Sequence, residues 1–300
     1  MISEVRPHAI LVGLSGPGIG IDEALVFCAG DCPTYAIQDF WGDVNLGFGA
    51  IPKTFFVMDK EAAYHTQQRV DSDVIVVGSP RHSRMARQIY NHDFGEISHK
   101  HHIEETGFSL LFCGQPLWHL NGYQNTLSIL AAYLHKSEFR GTIYYRPHPK
   151  ENKSNWLKAV EIFARYGLNS SVDEPFSLER SLCRVDLVCT CFSNCGIDLA
   201  YLNRCSPLPL AGLIYILFDD EVYSCYKNYS KLTHIPIAEI GSALTVTCRT
   251  FLLDNLKKAS AEDWRSSAWN SAKTFLPDPA NSLNKIYNQL RFDLNNRVNL

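Results

Sequence analysis

The chain has 300 residues, of which 46% are hydrophobic and 20% charged, and its formal net charge is −3. This composition excludes a disordered chain, and the lack of a basic excess argues against a nucleic-acid binder. No run approaches the ~18 apolar residues that a membrane-spanning helix needs, and the N-terminus does not resemble a signal peptide. We therefore expect a cytoplasmic protein with at most peripheral membrane association.

Apolar runs of strand length alternate with segments of helical periodicity, which is typical of parallel sheets with crossover helices. The first half predicts strands at residues 8–14, 34–39, 54–58 and 73–77, with helices at 22–29 and from 82 onward. Residues 92–106 are His-rich and charged, as in a linker. The second half predicts strands at 108–113, 142–145, 185–191 and 208–217, and helices at 126–135, 156–166, 177–182 and 196–202.

This order predicts an α/β protein with two consecutive Rossmann-like domains. Residues 1–105 form the N-terminal domain with its linker, residues 106–270 the second domain, and residues 271–300 a helical tail. Ligands of such sheets bind beyond the carboxyl ends of the strands, and the cleft between two domains is the expected site.

A glycine turn follows the first predicted strand, with Gly16, Gly18 and Gly20 at alternate positions. Glycines let the backbone approach a ligand, and the N-terminus of the following helix favours an anion. The spacing misses the dinucleotide fingerprint, and no acidic residue ends the second strand in a context suited to a ribose. We interpret Gly16 and Gly18 as ligand-binding on the acceptor side, with a purely structural turn as the alternative.

The most specific motif is Arg146-Pro147-His148-Pro149, at the end of a predicted strand. Two prolines fix the backbone around His148 and keep it in a loop, so its imidazole has a defined direction. That imidazole can donate a hydrogen bond to a phosphate. Arg146 can add charge-assisted bonds or pair with a neighbouring carboxylate. The alternative is a rigid loop with no ligand.

Ser193 and Asn194 lie between a buried strand and a helix. Either side chain can cap that helix, and the same hydroxyl, amide and backbone N–H groups can bind a phosphate. Taken with His148, the pair favours a phosphate site.

The strand-Arg-Pro-His-Pro motif, the segment 178–188 and the Ser193 loop together resemble GT-B glycosyltransferases over roughly residues 106–220. The resemblance is strongest to bacterial enzymes that use CMP-activated sugars, the sialyltransferases and capsule Kdo transferases. It implies that His148, Pro149 and Arg146 bind the donor phosphate beside Ser193 and Asn194, and that Gly114 and Gln115 border the same pocket. Those families often carry two adjacent Ser or Thr residues where this chain has Ser193-Asn194.

A catalytic base is expected from the first domain, where Asp39 ends a predicted strand before two aromatic residues. Burial would raise the pKa of its carboxyl and make it a better base. Asp43 is the second candidate, Gln38 a sugar-binding neighbour, and a structural turn the alternative for both acids. The ten cysteines and the run Asp219-Asp220-Glu221 lack convincing metal-ligand spacing.

The sequence therefore predicts a metal-independent, cofactor-free glycosyltransferase. Its donor would be a CMP-activated sugar of the nonulosonate or Kdo type, and its acceptor a hydroxyl of a glycan, glycolipid or protein. The alternatives are a CDP-alcohol phosphotransferase, a UDP-sugar epimerase on the same fold, or a non-catalytic nucleotide-sugar-binding module.

Overall fold

The computed structural model describes residues 2–16, 18–89, 107–173 and 177–298. The predicted linker 92–106 lies outside these residues. Contacts divide the chain into two compact units, one of Met1–Arg87 with Leu276–Leu300 and one of Gln88–Phe275. Each unit contains its own parallel sheet.

Among the residues that the structure describes, the first unit has four parallel strands in the order β1-β2-β3-β4. These strands are Ile10–Val12, Thr34–Ile37, Thr54–Val57 and Asp73–Val76. The helices of this unit are Ile2–Val5, Ile21–Phe27, Lys60–Gln67, Ser83–Gln88 and, from the C-terminal segment, Ser282–Val298.

The C-terminal helix completes the core of the first unit. Ile286 is 4% exposed and packs with Tyr35, Phe56 and Val77. The rings of Tyr35 and Phe56 stack at 5.8 Å. The Tyr35 hydroxyl donates a hydrogen bond of 2.8 Å to the Asp293 carboxylate on that helix. The segment expected to be a separate tail is therefore part of this unit.

The described part of the second unit has six parallel strands in the order β10-β9-β8-β5-β6-β7. In chain order they are Ser109–Cys113, Thr142–Arg146, Asn169–Val172, Leu187–Thr190, Gly212–Ile216 and Leu244–Val246. The helices are Asn121–Lys136, Lys153–Arg165, Leu178–Arg184, Cys195–Cys205, Asp220–Ser230, Pro236–Glu239, Leu252–Ser260 and Glu262–Phe275. The predicted α/β class with parallel sheets is confirmed.

The strand register brings three of the predicted motifs to one edge of this sheet. Cys113, the last residue of β5, pairs with Arg146 at the end of β6 and with Thr190 at the end of β8. The segments that follow these strands therefore leave the sheet side by side, with the β5 loop in the middle. Within the part of the chain that the structure describes, no helix is both long and apolar enough to cross a membrane.

Candidate nucleotide-phosphate site

The loops after β6 and β8 lie on either side of the loop after β5. Two strand spacings separate the ends of β6 and β8, which is about 10 Å at the level of the sheet. The Gly114 N–H donates to the Arg146 carbonyl at 2.8 Å, so the β5 and β6 strands stay paired up to their last residues. The loop tips of β6 and β8 can therefore face one small ligand across the end of β5.

His148 is half-buried, and its ring has a defined tautomer. The Lys150 backbone N–H donates to Nδ1 at 3.1 Å, so Nδ1 carries no proton and Nε2 does. Burial, and then the positive charge of Lys150, lower the pKa of the imidazole. At neutral pH the side chain is thus a neutral Nε2–H donor, which suits a hydrogen bond to a phosphate oxygen.

Glu151 lies beneath this turn and was not predicted from the sequence. It is 6% exposed, and its carboxylate accepts bonds from the His148 backbone N–H at 2.5 Å and from the Tyr145 hydroxyl at 2.7 Å. Trp118 Nε1–H donates to the same carboxylate. Burial raises the pKa of Glu151, and these three hydrogen bonds partly offset the effect.

Gln115 links the β5 loop to the β8 loop. The Gln115 side-chain oxygen accepts the Phe192 backbone N–H at 2.8 Å, and the Gln115 backbone N–H donates to the Tyr123 hydroxyl at 3.1 Å. Tyr123 in turn contacts the Tyr145 hydroxyl at 3.2 Å. A continuous hydrogen-bonded chain therefore runs from the β8 loop through Gln115 to Glu151 under the His148 turn.

Ser193 and Asn194 divide the two roles that the sequence left open. Ser193 Oγ accepts the Cys195 N–H at 3.3 Å, and the Ser193 N–H donates to Thr190 Oγ1 at 3.2 Å. Asn194 is the N-cap residue of helix Cys195–Cys205, but its side chain makes no capping bond. The Cys195 and Gly196 N–H groups bind Ser193, and Asp198 places a carboxylate in the first turn. The half-buried Asn194 amide is therefore the group of this loop that is best placed to meet an anion.

The helices that follow β5 and β6 also have protein groups at their first turns. The Gly122 N–H in helix Asn121–Lys136 donates to Glu221 at 2.6 Å. The Asn152 side chain caps helix Lys153–Arg165 by accepting the Asn155 N–H at 3.0 Å. Asp219 caps its own helix, Asp220–Ser230. Within the acidic run, Asp219 and Glu221 thus bind N–H groups at the starts of two helices.

Arg146 is bound to a carboxylate, the second of the two possibilities that the motif allowed. Its guanidinium donates to Asp173 at 2.8 Å and to Ser181 Oγ at 2.9 Å. Asp173 is fully buried at its side chain and also pairs with Arg184 at 2.5 Å. This geometry gives Arg146 a role in holding β6 against its neighbours, and its contact with a donor phosphate stays a prediction.

The glycine turn of the first unit is closed by carboxylates. Glu23 accepts the N–H groups of Ser15 at 2.9 Å and Gly20 at 2.8 Å, both near the start of helix Ile21–Phe27. Since negative charge already occupies that N-terminus, the expected anion role is not supported there. Gly16 and Gly18 remain exposed, and a Cβ at Gly18 would meet nothing within 4 Å.

The candidate acids of the first unit differ in environment from the sequence-based expectation. Asp39 is exposed, so the expected burial of its carboxylate is wrong. Asp43 is half-buried, and burial, followed by the negative charge of Asp39, raises its pKa. Gln38 is buried, and its amide donates to the Asp43 carbonyl at 2.7 Å and to Thr66 Oγ1 at 2.9 Å. These contacts assign Gln38 to shaping the turn that presents both acids.

Comparisons with known proteins place the fold. No protein-family model matches the chain, and no curated protein matches it. A S. aureus MnaA–UDP co-structure superposes with a TM-score of 0.66 at 13% identity, covering 98% of this chain and 78% of that one. A UDP-GlcNAc 2-epimerase from Neisseria meningitidis bound to UDP-GlcNAc gives 0.59 at 10% identity, covering 96% and 77%.

A third solved structure, MurG from Acinetobacter baumannii, has a TM-score of 0.57 at 12% identity, covering 96% of this chain and 76% of that one. At such identities the likeness establishes the fold and nothing further. The chain consists of two Rossmann-like units of the GT-B class, as the sequence predicted.

Proposed function

We propose that this protein is a nucleotide-sugar-dependent enzyme whose second unit binds the nucleotide phosphate. The observation that carries the proposal is the neutral His148, whose Nε2–H is a donor. Its loop lies two strands away from Asn194, whose side chain makes no capping bond. Both are hydrogen-bond donors at the carboxyl edge of a parallel sheet, where this class of fold binds its ligands.

We further propose that the reaction is transfer of the sugar to a hydroxyl acceptor. Departure of the nucleotide increases the negative charge on its phosphate, and a preformed N–H donor stabilises that charge in the transition state. Asp39 and Asp43 are the candidate bases for the acceptor hydroxyl. The raised pKa of Asp43 makes this half-buried acid a better base, and Asp39 remains the acid predicted from the sequence.

The donor is proposed to be a pyrimidine nucleotide sugar. The His-Pro motif resembles that of enzymes using CMP-activated sugars, whereas two of the solved structures of similar fold hold UDP or UDP-GlcNAc. A second candidate function follows from those structures, namely epimerisation of a UDP-sugar.

One set of assays separates these possibilities. A thermal-shift series with CMP, CDP, UDP and GDP tests the nucleotide, since a ligand at 100 times its Kd stabilises by ~2.7 kcal/mol.

Incubation of UDP- and CMP-sugars in D₂O with and without hydroxyl acceptors then tests the reaction. Acceptor-dependent release of nucleotide supports transfer. Deuterium at the sugar carbon whose configuration inverts, with the nucleotide retained in the product, supports epimerisation instead. Nucleotide binding without either reaction favours a binding module.

A further inference from the structure

We propose that Glu151 is a positioning residue that sets the tautomer and direction of the His148 imidazole. The Glu151 carboxylate accepts the His148 backbone N–H at 2.5 Å. Two residues farther along the chain, the Lys150 backbone N–H donates to Nδ1 of the His148 ring. In the opposite direction, the Glu151 backbone N–H donates to the His148 carbonyl at 2.8 Å. Both backbone polar groups of His148 are thus bonded to one residue.

These two hydrogen bonds between His148 and Glu151 close the turn so that the Lys150 N–H points at Nδ1. The contact at 3.1 Å requires an unprotonated Nδ1, and the ring proton is then carried by Nε2. If the turn opened, Lys150 N–H would leave Nδ1, and the imidazole would be free to exchange tautomers and rotate. The carboxylate therefore acts on the ring through the backbone, without touching a ligand.

The carboxylate cannot be replaced by an amide at this position. One oxygen, Oε1, accepts from Trp118 Nε1–H and Tyr145 OH, and the other, Oε2, accepts from the His148 N–H. A glutamine has one acceptor oxygen and one NH₂ group. Whichever way the amide is turned, its NH₂ faces either the His148 N–H or the Trp118 N–H. At least one fixed donor is left without an acceptor in a buried place.

The position of Gly114 supports a precise fit around this carboxylate. A Cβ at Gly114 would lie 2.3 Å from the Tyr145 hydroxyl and 2.7 Å from Glu151 Oε2. The β5 loop thus packs directly against the carboxylate and its tyrosine donor. In the spacing His148-x-x-Glu151, the Glu side chain reaches back three residues to a backbone N–H, as one half of a capping box does, while the His148 carbonyl accepts the Glu151 N–H.

The test uses the full-length, nucleotide-free protein with ¹⁵N-labelled histidine. The His148 signals are assigned by their loss in His148→Gln, and the shifts of Nδ1 and Nε2 report the tautomer. We expect the wild type to show an unprotonated Nδ1 and a protonated Nε2 at pH 7.5. Glu151→Gln should give averaged ring shifts for His148. Tyr145→Phe is the matched control, because it removes another donor to the same carboxylate and leaves the His148 contact, so its His148 shifts should equal those of the wild type.

Calorimetric titration with UDP and CMP completes the test and rests on the proposed function. Glu151→Gln should weaken nucleotide binding at least tenfold, and Tyr145→Phe should change it less than threefold. If Glu151→Gln does not fold, Glu151→Asp takes its place, since the shorter side chain keeps the charge but withdraws the oxygen from His148. A folded variant that retains the wild-type His148 shifts overturns the proposal. Failure of every protein to bind a nucleotide overturns the proposed function instead, while the ring shifts still decide the role of Glu151.

Discussion

At the scale of single residues, His148 is the group on which the proposed phosphate site depends most. His148→Ala removes the Nε2–H donor, and a lost hydrogen bond to a charged group costs ~1.5–3 kcal/mol, or about 10- to 150-fold in Kd. We expect calorimetry to show that loss for UDP or CMP. His135→Ala is the matched control, because His135 is exposed in the last turn of helix Asn121–Lys136. Equal affinities of the two variants would remove His148 from the site.

The titration of His148 gives a second residue-scale prediction. Burial and the charge of Lys150 lower its pKa below the ordinary 6.5, so the folded protein binds fewer protons here than the unfolded chain. The corresponding stability is present above pH 6.5 and is lost as the pH falls through that value toward the folded pKa. An NMR titration of the free protein should give a midpoint under 6.5. His148→Gln should unfold with a weaker pH dependence between pH 7 and 5, and an unchanged dependence would contradict the assignment.

The two acids of the first unit can be separated by substitution. Asp39→Asn should leave nucleotide affinity unchanged and, if Asp39 is the base, should reduce turnover by on the order of 10²–10⁴. The same variant removes a negative charge that raises the pKa of Asp43, so that pKa should fall. Single-turnover rates of Asp39→Asn and Asp43→Asn identify the base. Wild-type turnover in Asp39→Asn would transfer the role to Asp43.

At the scale of elements, the close packing of the three strand ends predicts an effect of Gly114. An added Cβ would meet the Tyr145 hydroxyl at 2.3 Å, inside a buried network that cannot shift without breaking bonds. We expect Gly114→Ala to lower the free energy of unfolding by ~1–3 kcal/mol, the usual cost of overpacking. Gly18→Ala, where nothing lies within 4 Å, is the control and should change it little. Urea unfolding monitored by tryptophan fluorescence measures both.

The strands that carry the motifs were predictable because buried strands have continuous runs of apolar residues. Leu110, Leu111 and Phe112 of β5 are all 0% exposed, and such continuous apolar runs mark a strand that is covered on both faces. The edge strand Asn169–Val172 was missed, since its sequence Asn-Ser-Ser-Val is polar and alternates between exposed and half-buried positions. Periodicity is weak in such short edge segments.

The site was predictable in part, and for a related reason. Prolines around His148 and the loop before helix Cys195–Cys205 are local signals, and the register confirmed that both loops leave the same edge of the sheet. The partner of Arg146 was not predictable, because Asp173 lies 27 residues farther along the chain. The three-residue spacing between His148 and Glu151 is visible in the sequence. Its role is clear only from the structure, which shows the two hydrogen bonds between these residues.

At the scale of the whole molecule, the chain builds the first unit from both of its ends. It leaves that unit at Arg87, forms the entire second unit, and returns at Leu276. The residues expected as a tail therefore stabilise one unit while the proposed nucleotide site belongs to the other. Stability and nucleotide binding should accordingly respond to different substitutions.

Ile286→Ala tests this separation. Ile286 is 4% exposed among Tyr35, Phe56 and Val77, and truncating a buried Ile to Ala costs ~2–5 kcal/mol. Scanning calorimetry should show a lower melting temperature for the first unit, whereas the affinity for UDP or CMP should stay at the wild-type value. Leu283→Ala on the same helix is the control, because Leu283 is 47% exposed and should melt like the wild type. Saturating nucleotide should raise the transition of the second unit in all three proteins, since ligand binding stabilises only the unit that holds the site. Loss of nucleotide binding in Ile286→Ala would show that the site requires an intact first unit.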